Sequence, residues 1–197
     1  MTPDRLRELY GTASPRAAAK VIDHIDDHVR AFIAASPFAV LATTDGTSLD
    51  ISPKGDSAGF VAVEDAHHLI LPDRPGNNRL DGLMNILANP AVTLLFLIPT
   101  VAETMRVVGT ASIHDDADLC ERYAMNGRAP KTVTRIRVAE VFSHCGKAPI
   151  RAGLWKPETW PAERPVATLG QMVKDHAKMD MDTSQAAADR LYQETLY

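Results

Sequence analysis

The chain has 197 residues, of which 45% are hydrophobic and 23% are charged, and its net charge is −4 at neutral pH. These proportions are typical of a globular protein, and the acidic balance argues against nucleic-acid binding and against an anionic membrane surface, both of which need clustered positive charge. The longest apolar run, AVTLLFLIP, is about half as long as a membrane-spanning helix requires. The N-terminus carries no signal-peptide core, and Cys120 and Cys145 form no CxxC or zinc spacing. We therefore expect a cytoplasmic protein.

The first part of the chain predicts helices. A short helix is expected near residues 4–10. Residues 15–35 follow a Ser-Pro start, and their apolar side chains form one stripe at helical spacing, which predicts a single long helix. The residues of this stripe are Val21, Ile22, Ile25, Val29, Phe32 and Ile33.

The hydrophobic period then shortens, which indicates strands. Short β-rich runs occupy residues 38–44, 47–53, 59–63 and 67–72, and Asp45-Gly46 between the first two is a strong hairpin signal. A helix is expected over residues 78–88, with Asn77 or Asn78 as its N-cap.

Further strands are expected at residues 91–98, 103–113 and 132–144, with a helical segment at 115–125 between the last two. Pro-rich sequence follows Trp155, and two helix-like segments lie near residues 168–179 and 184–196. This order predicts a mainly β protein of the α+β class, a small antiparallel barrel flanked by helices. The expected parts are an N-terminal helical extension (1–36), a barrel domain (37–155) and a C-terminal helical extension (156–197).

The stretch LPDRPGNNRLDG, residues 71–82, has the features of a phosphate pocket. Arg74 and Arg79 can direct charge-assisted hydrogen bonds at one anion. Pro75-Gly76 turns the backbone between them, and free N–H groups at the following helix start favour an anion. The alternative is an ordinary surface loop with a capped helix and solvated arginines.

Two other segments carry charge that could serve the same ligand. Lys54 ends a strand that we expect to neighbour the 67–72 strand, so it could reach the pocket, although a strand-end lysine is commonly only solvated. In HCGKAPIRAGLW, Lys147, Arg151 and Trp155 could form a cationic, aromatic lip over a planar anion; the alternative is a surface strand with a packed tryptophan. His24 and His28 lie one helical turn apart without further ligands, so we expect no metal site. No side chain stands out as a catalytic acid or base.

Four stretches between Phe38 and Trp155 together resemble the pyridoxamine 5'-phosphate oxidase-related family of FMN-binding split β-barrels. They are SPKGD, LPDRPGNNRLDGLMNILANPAVTLLFLIP, MRVVGTASI and CGKAPIRAGLW. The resemblance implies a homodimer with FMN in a cleft between the subunits. It also implies that the 74–79 segment holds the FMN phosphate, and that the 50–54 strand lies along the flavin ring. The cofactor-binding residues expected on this basis are Asp50, Ile51, Ser52, Lys54, Asp73, Arg74, Asn77, Asn78, Arg79, Thr104, Lys147, Arg151 and Trp155.

The sequence after Trp155 departs from that family, because it lacks the arginine-bearing pattern that holds the substrate phosphate in true pyridoxamine phosphate oxidases. We therefore expect an FMN-dependent oxidoreductase that acts on a different small molecule. Two alternatives stay open. One is a reductase that uses a deazaflavin, which would need a longer basic groove, and the other is a non-catalytic flavin- or haem-binding carrier or sensor.

Overall fold

The computed structural model describes residues 1–180 and 182–196, and in that part of the chain eight antiparallel strands form one sheet. The strands are β1 (Val21–Ile22), β2 (Phe38–Thr44), β3 (Leu49–Gly55), β4 (Ala62–Val63), β5 (His68–Pro72), β6 (Ala91–Leu97), β7 (Thr104–His114) and β8 (Val133–His144). The helices are α1 (Pro3–Tyr10), α2 (Pro15–Ala18), α3 (Asp27–Ala35), α4 (Asp81–Ala88), α5 (Ala117–Glu121), α6 (Lys147–Ala152), α7 (Leu169–Ala177) and α8 (Gln185–Thr195). The sheet order is β3-β2-β6-β7-β8-β5-β4, and β1 pairs with β8.

The predicted β2–β3 hairpin forms because its turn is satisfied locally. The Asp45 carboxylate accepts hydrogen bonds from the backbone N–H groups of Thr47 (2.7 Å) and Ser48 (2.6 Å), and these contacts lower the pKa of Asp45. Gly46 takes a φ of 95°, which glycine adopts without a steric penalty. Strand β2 then buries alternate residues, as an amphipathic strand should.

The sheet curls so that its two ends meet. Strands β3 and β5 are not hydrogen-bonded neighbours, so the expected pairing of the Lys54 strand with the 67–72 strand is wrong. Their C-terminal ends nevertheless meet, because Lys54 Nζ lies 3.8 Å from Asp73 Oδ1 and Arg74 Nε donates to Asp56 Oδ2 at 2.7 Å. The prediction of a mainly antiparallel sheet with flanking helices is confirmed.

The hydrophobic core lies inside the curled sheet. Leu69, Leu94, Phe96 and Ile136 are almost completely buried there. Helix α3 adds Ile33 to the same cluster, so the flanking helices close the core rather than stand apart from it.

The single long helix expected over residues 15–35 is wrong. The chain instead forms the short α2, then the strand β1, then α3, whose N-cap Asp26 accepts from the Val29 N–H at 2.8 Å. Val21 and Ile22 pair with Phe142 and Val141 of β8. β-Branched residues favour a strand where an unpaired edge is available, so tertiary pairing overrides the local helical pattern.

The remaining predicted elements lie close to where the sequence placed them, except that residues 147–152 form a helix and not the surface strand considered above. Within residues 1–180 and 182–196, no helix has the length and apolar character needed to cross a membrane. The division of the chain at residues 36 and 155 stays a prediction.

Candidate functional site

A cavity of about 820 Å³ lies where the two ends of the curled sheet meet. Its walls are residues 50–54 of β3, the loop and first turn at residues 73–83, the loop at residues 128–131 before β8, and Glu194 with Thr195 at the end of α8. Its volume is in the range of ligand pockets, about 300–1,000 Å³.

Most of the predicted cofactor-binding residues line this cavity. They are Asp50, Ile51, Ser52, Lys54, Asp73, Arg74, Asn77, Asn78 and Arg79. Thus β3 and the loop after β5, which are distant in the sequence and in the sheet order, face one space.

The other four predicted residues do not line the cavity of their own chain. Thr104 begins β7 opposite His144, and Trp155 donates its indole N–H to the Val101 carbonyl at 2.9 Å. Lys147 and Arg151 lie on α6 and are exposed. A ligand role for these four residues stays a prediction.

Arg74 is held firmly in the cavity wall. Its Nε donates to Asp56, whose side chain is only 1% exposed, and its Nη1 donates to the Tyr123 carbonyl at 2.9 Å. A guanidinium that neutralises a buried carboxylate and bonds a backbone carbonyl is a structural tie as well as a local positive charge. Arg74 is therefore the more constrained of the two arginines.

Arg79 lies outside α4, because the helix begins at Asp81 and not at residue 78 as expected. Asn78 and Leu80 have φ values of 56° and 62°, so the backbone turns sharply before the helix. The predicted Asn N-cap is wrong: Asn77 Oδ1 instead accepts from the Arg79 N–H at 3.0 Å, and Leu80 occupies the cap position. The Arg79 side chain is 72% exposed and donates to Asp81 Oδ2 at 2.7 Å.

The β3 wall carries a small polar group next to the start of α4. Asp50 Oδ2 accepts from Ser52 Oγ at 2.6 Å, and a Cβ atom on Gly82 would lie 3.2 Å from that carboxylate oxygen. Behind them, Asn85 Nδ2 donates to the buried Thr43 Oγ1 at 3.2 Å. The Asn85–Thr43 contact fixes α4 on β2, and Asp50 and Ser52 line the cavity beside it.

The loop before β8 is a wall that the sequence analysis did not single out. Met125 and Arg128 exchange two backbone hydrogen bonds of 2.9 Å around Asn126 and Gly127, both at positive φ. This tight turn presents Arg128 and Lys131 to the cavity. The sequence NGRAPK contains a local signal for this cationic turn, because an Asn-Gly turn followed by two cations precedes a predicted strand.

Neither cysteine lines the cavity, and both are free thiols. The backbone N–H of Lys147 lowers the pKa of the exposed Cys145 thiol, whereas burial raises the pKa of Cys120. Among the described residues, one group of possible metal ligands lies close together, at Glu64, Asp65 and His68. Its members are engaged already, since Glu64 accepts from Arg135 and Asp65 pairs with His68.

Comparison with known proteins identifies the family to which this architecture belongs. A family model described as pyridoxamine 5'-phosphate oxidase matches residues 25–145. The chain is similar in structure to HupZ from Group A Streptococcus, with 24% identity over 60% of this chain and 93% of that chain and a TM-score of 0.50. A single-substitution variant of HupZ gives 22% identity, 61% and 99% coverage and a TM-score of 0.51.

It is also similar to a candidate pyridoxamine 5'-phosphate oxidase from Lactobacillus delbrueckii, with 19% identity, 61% and 95% coverage and a TM-score of 0.50. At these identities the structural likeness shows the fold alone. No curated protein matches the chain. Because the family model spans more than half of its residues, the chain belongs to the pyridoxamine 5'-phosphate oxidase-related family.

Proposed function

We propose that this protein is an FMN-dependent oxidoreductase acting on a small molecule. The observation that carries the proposal is that residues 50–54 and residues 73–79 line the same cavity. These are the two segments that the family resemblance assigns to the flavin ring and to the flavin phosphate.

The residues present fit a phosphate-bearing ligand. The backbone of the loop turns at Asn78 and Leu80, which are both at positive φ, and Lys54, Arg74 and Arg79 supply positive charge. Carboxylates compete for these cations, because Asp73 lies near Lys54 and Asp81 accepts from Arg79. The Arg79–Asp81 pair joins two exposed groups, and such pairs contribute little, so a dianionic phosphate can take the place of Asp81.

Each wall would have a distinct task. Arg74, Asn78 and Arg79 would hold the phosphate, while Asp50 and Ser52 would offer hydrogen bonds along the ring. Lys54 would place positive charge near the ring edge, where it favours the reduced, anionic form. FMN would supply electron or hydride transfer, and the protein would supply position and electrostatics. Arg128 and Lys131 add positive charge to the lining of the cavity, which favours a substrate with an anionic group.

We also propose a homodimer. Leu49 and Ile51 on β3 are 80% and 69% exposed, and Met84 and Leu87 on α4 are 60% and 71% exposed. Helix α4 packs against β3, and Ile51 lines the cavity, so this apolar surface adjoins the site. In the dimer, Thr104, Lys147, Arg151 and Trp155 would contribute across the interface.

The proposal is tested by the absorption spectrum of the purified protein. A bound flavin gives a yellow protein with the flavin spectrum, and anaerobic bleaching by NADH or NADPH would identify an oxidoreductase. A flavin spectrum that no pyridine nucleotide or chemical substrate changes would favour a carrier or sensor. Protein that stays colourless after incubation with excess FMN and gel filtration would overturn the proposal.

A further inference from the structure

The C-terminal helices α7 and α8 form a hairpin that its own contacts hold together. Thr168 Oγ1 donates to the Thr183 carbonyl at 2.8 Å, and Arg164 Nη1 donates to Gln185 Oε1 at 3.2 Å. Gly170 lets the two arms approach closely, because a Cβ atom there would lie 3.0 Å from Thr183 Cα. Neither helix contains a buried residue among those described. The hairpin is therefore joined to the barrel more loosely than its two arms are joined to each other.

The last turn of α8 nevertheless reaches the cavity, where Glu194 and Thr195 form part of the lining. The end of a helix carries a partial negative charge from its unsatisfied carbonyl groups, and the Glu194 carboxylate adds a full one. The same cavity is lined by Arg79, Arg128 and Lys131. An anionic ligand in this cavity would therefore share its cations with the carboxylate at the end of α8.

We infer that α8 is an internal cap that competes with anionic ligands for this cavity. The seated helix end contributes negative charge where the ligand phosphate must come close to the cations, so the ligand enters fully only when α8 withdraws. The identity of the ligand in this inference, FMN, rests on the proposed function; the capping itself does not. Because the cap excludes the ligand in a fraction of molecules, the apparent affinity is reduced by that fraction.

The charge in the cap is tested by Glu194→Gln in the full chain, with Glu163→Gln as the control. Glu163 is exposed in the Pro-containing stretch and does not line the cavity. We expect Glu194→Gln to lower the Kd for FMN by roughly three- to tenfold and the control Glu163→Gln to leave it unchanged. An unchanged or higher Kd for FMN in Glu194→Gln, or an equal gain in the control, would overturn the inference.

The position of the cap is tested without any flavin. Leu191→Pro breaks α8, because residue 191 lies in the interior of the helix, where proline removes a backbone hydrogen bond and clashes with the preceding turn, whereas Ala186→Pro lies in the first turn, where proline is tolerated. The readout is the rate at which iodoacetamide alkylates a thiol introduced by Ser52→Cys in a Cys145→Ser background. We expect Leu191→Pro to raise that rate about threefold or more and Ala186→Pro to leave it unchanged.

Equal alkylation rates in all three backgrounds would show that α8 does not cover the cavity and would overturn the inference. If the protein binds no flavin, the proposed function fails, but the alkylation rates still decide whether α8 is a cap. If Ser52→Cys does not fold, the comparison of Glu194→Gln with Glu163→Gln decides the question alone.

Discussion

Arg74 and Arg79 belong to one loop but have opposite environments. Arg74 is tied to the buried carboxylate of Asp56 and to the Tyr123 carbonyl, whereas Arg79 is exposed beside Asp81. A mobile cation can change partners at little cost, and a fixed one contributes charge without moving. In the proposed function, ligand recognition would therefore fall chiefly to Arg79, and Arg74 would serve both recognition and structure.

Replacing Arg79 with Ala should weaken FMN binding without unfolding the protein. Loss of a charge-assisted bond to the phosphate predicts a roughly 30- to 150-fold rise in the Kd for FMN by calorimetry. Riboflavin has no phosphate, so its Kd should barely change. The melting temperature without flavin should stay within a few degrees, because the side chain is exposed. An equal loss for both ligands would make Arg79 structural.

Replacing Arg74 with Ala should instead destabilise the protein before any ligand is added. Removing the guanidinium takes the charge partner from a carboxylate that is 1% exposed, which costs about 3 kcal/mol. Urea unfolding of the apo protein measures this loss, with Arg79→Ala as the matched control. The double variant Arg74→Ala/Asp56→Asn should recover part of the stability. Equal stability of the two single variants would contradict the assignment.

At the scale of elements, the β7–β8 pairing contains an irregularity that requires glycine. The register shifts between Val108 and Gly109, and a Cβ atom on Gly109 would lie 2.1 Å from the Arg137 carbonyl oxygen. No side-chain rotation relieves a clash of Cβ with backbone. This bulge gives a physical reason for the glycine in the MRVVG motif.

Gly109→Ala should therefore destabilise the fold by about 3 kcal/mol, which lowers the melting temperature by roughly 6–12 °C in a chain of this size. The neighbouring Thr110→Ala is the control, since Thr110 is exposed and its loss should cost about 1 kcal/mol or less. Circular dichroism during heating measures both variants. If the Gly109→Ala variant has the same melting temperature as the parent protein, the two strands can separate at the bulge without an energetic cost.

The sequence predicted those elements whose cause is local. The β2–β3 hairpin follows from Asp45-Gly46, and the strands of the barrel follow from their own apolar pattern. The 15–35 helix was wrong because the edge of β8 recruits Val21 and Ile22, and the start of α4 was wrong because Asn78 and Leu80 adopt positive φ. Neither cause is present in the local pattern.

The candidate site shows the same division. Residues 50–54 and 73–79 carry recognisable motifs, so their shared place at one cavity could be predicted from the sequence. The predicted pairing of the strands β3 and β5 was nevertheless wrong. The walls at Arg128, Lys131 and Glu194 depend on how distant parts of the chain fold back. Only the Asn-Gly turn gave a local signal for the loop before β8, and nothing in the pattern of α8 indicated its place at the cavity.

At the scale of the whole molecule, the proposed homodimer follows from apolar surface beside the site. Leu49, Ile51, Met84 and Leu87 are exposed apolar side chains on β3 and α4. Monomeric proteins rarely expose large contiguous apolar patches, so this surface indicates an interface. Light scattering of the purified protein should give about twice the mass of the chain. Met84→Lys with Leu87→Lys should shift the mass toward the monomer, whereas Leu6→Lys on α1, also exposed, should not. A stable, flavin-loaded monomer would contradict the dimer.

The central claim is that this cavity recognises the phosphate of FMN. Calorimetric titration of the apo protein with FMN and with riboflavin tests it most directly, because the two ligands share the ring and differ in the phosphate. Charge-assisted bonds from Arg74 and Arg79 predict a Kd for FMN at least about 30-fold below that for riboflavin, and a difference that shrinks as salt is raised. Equal dissociation constants for the two ligands would contradict the account.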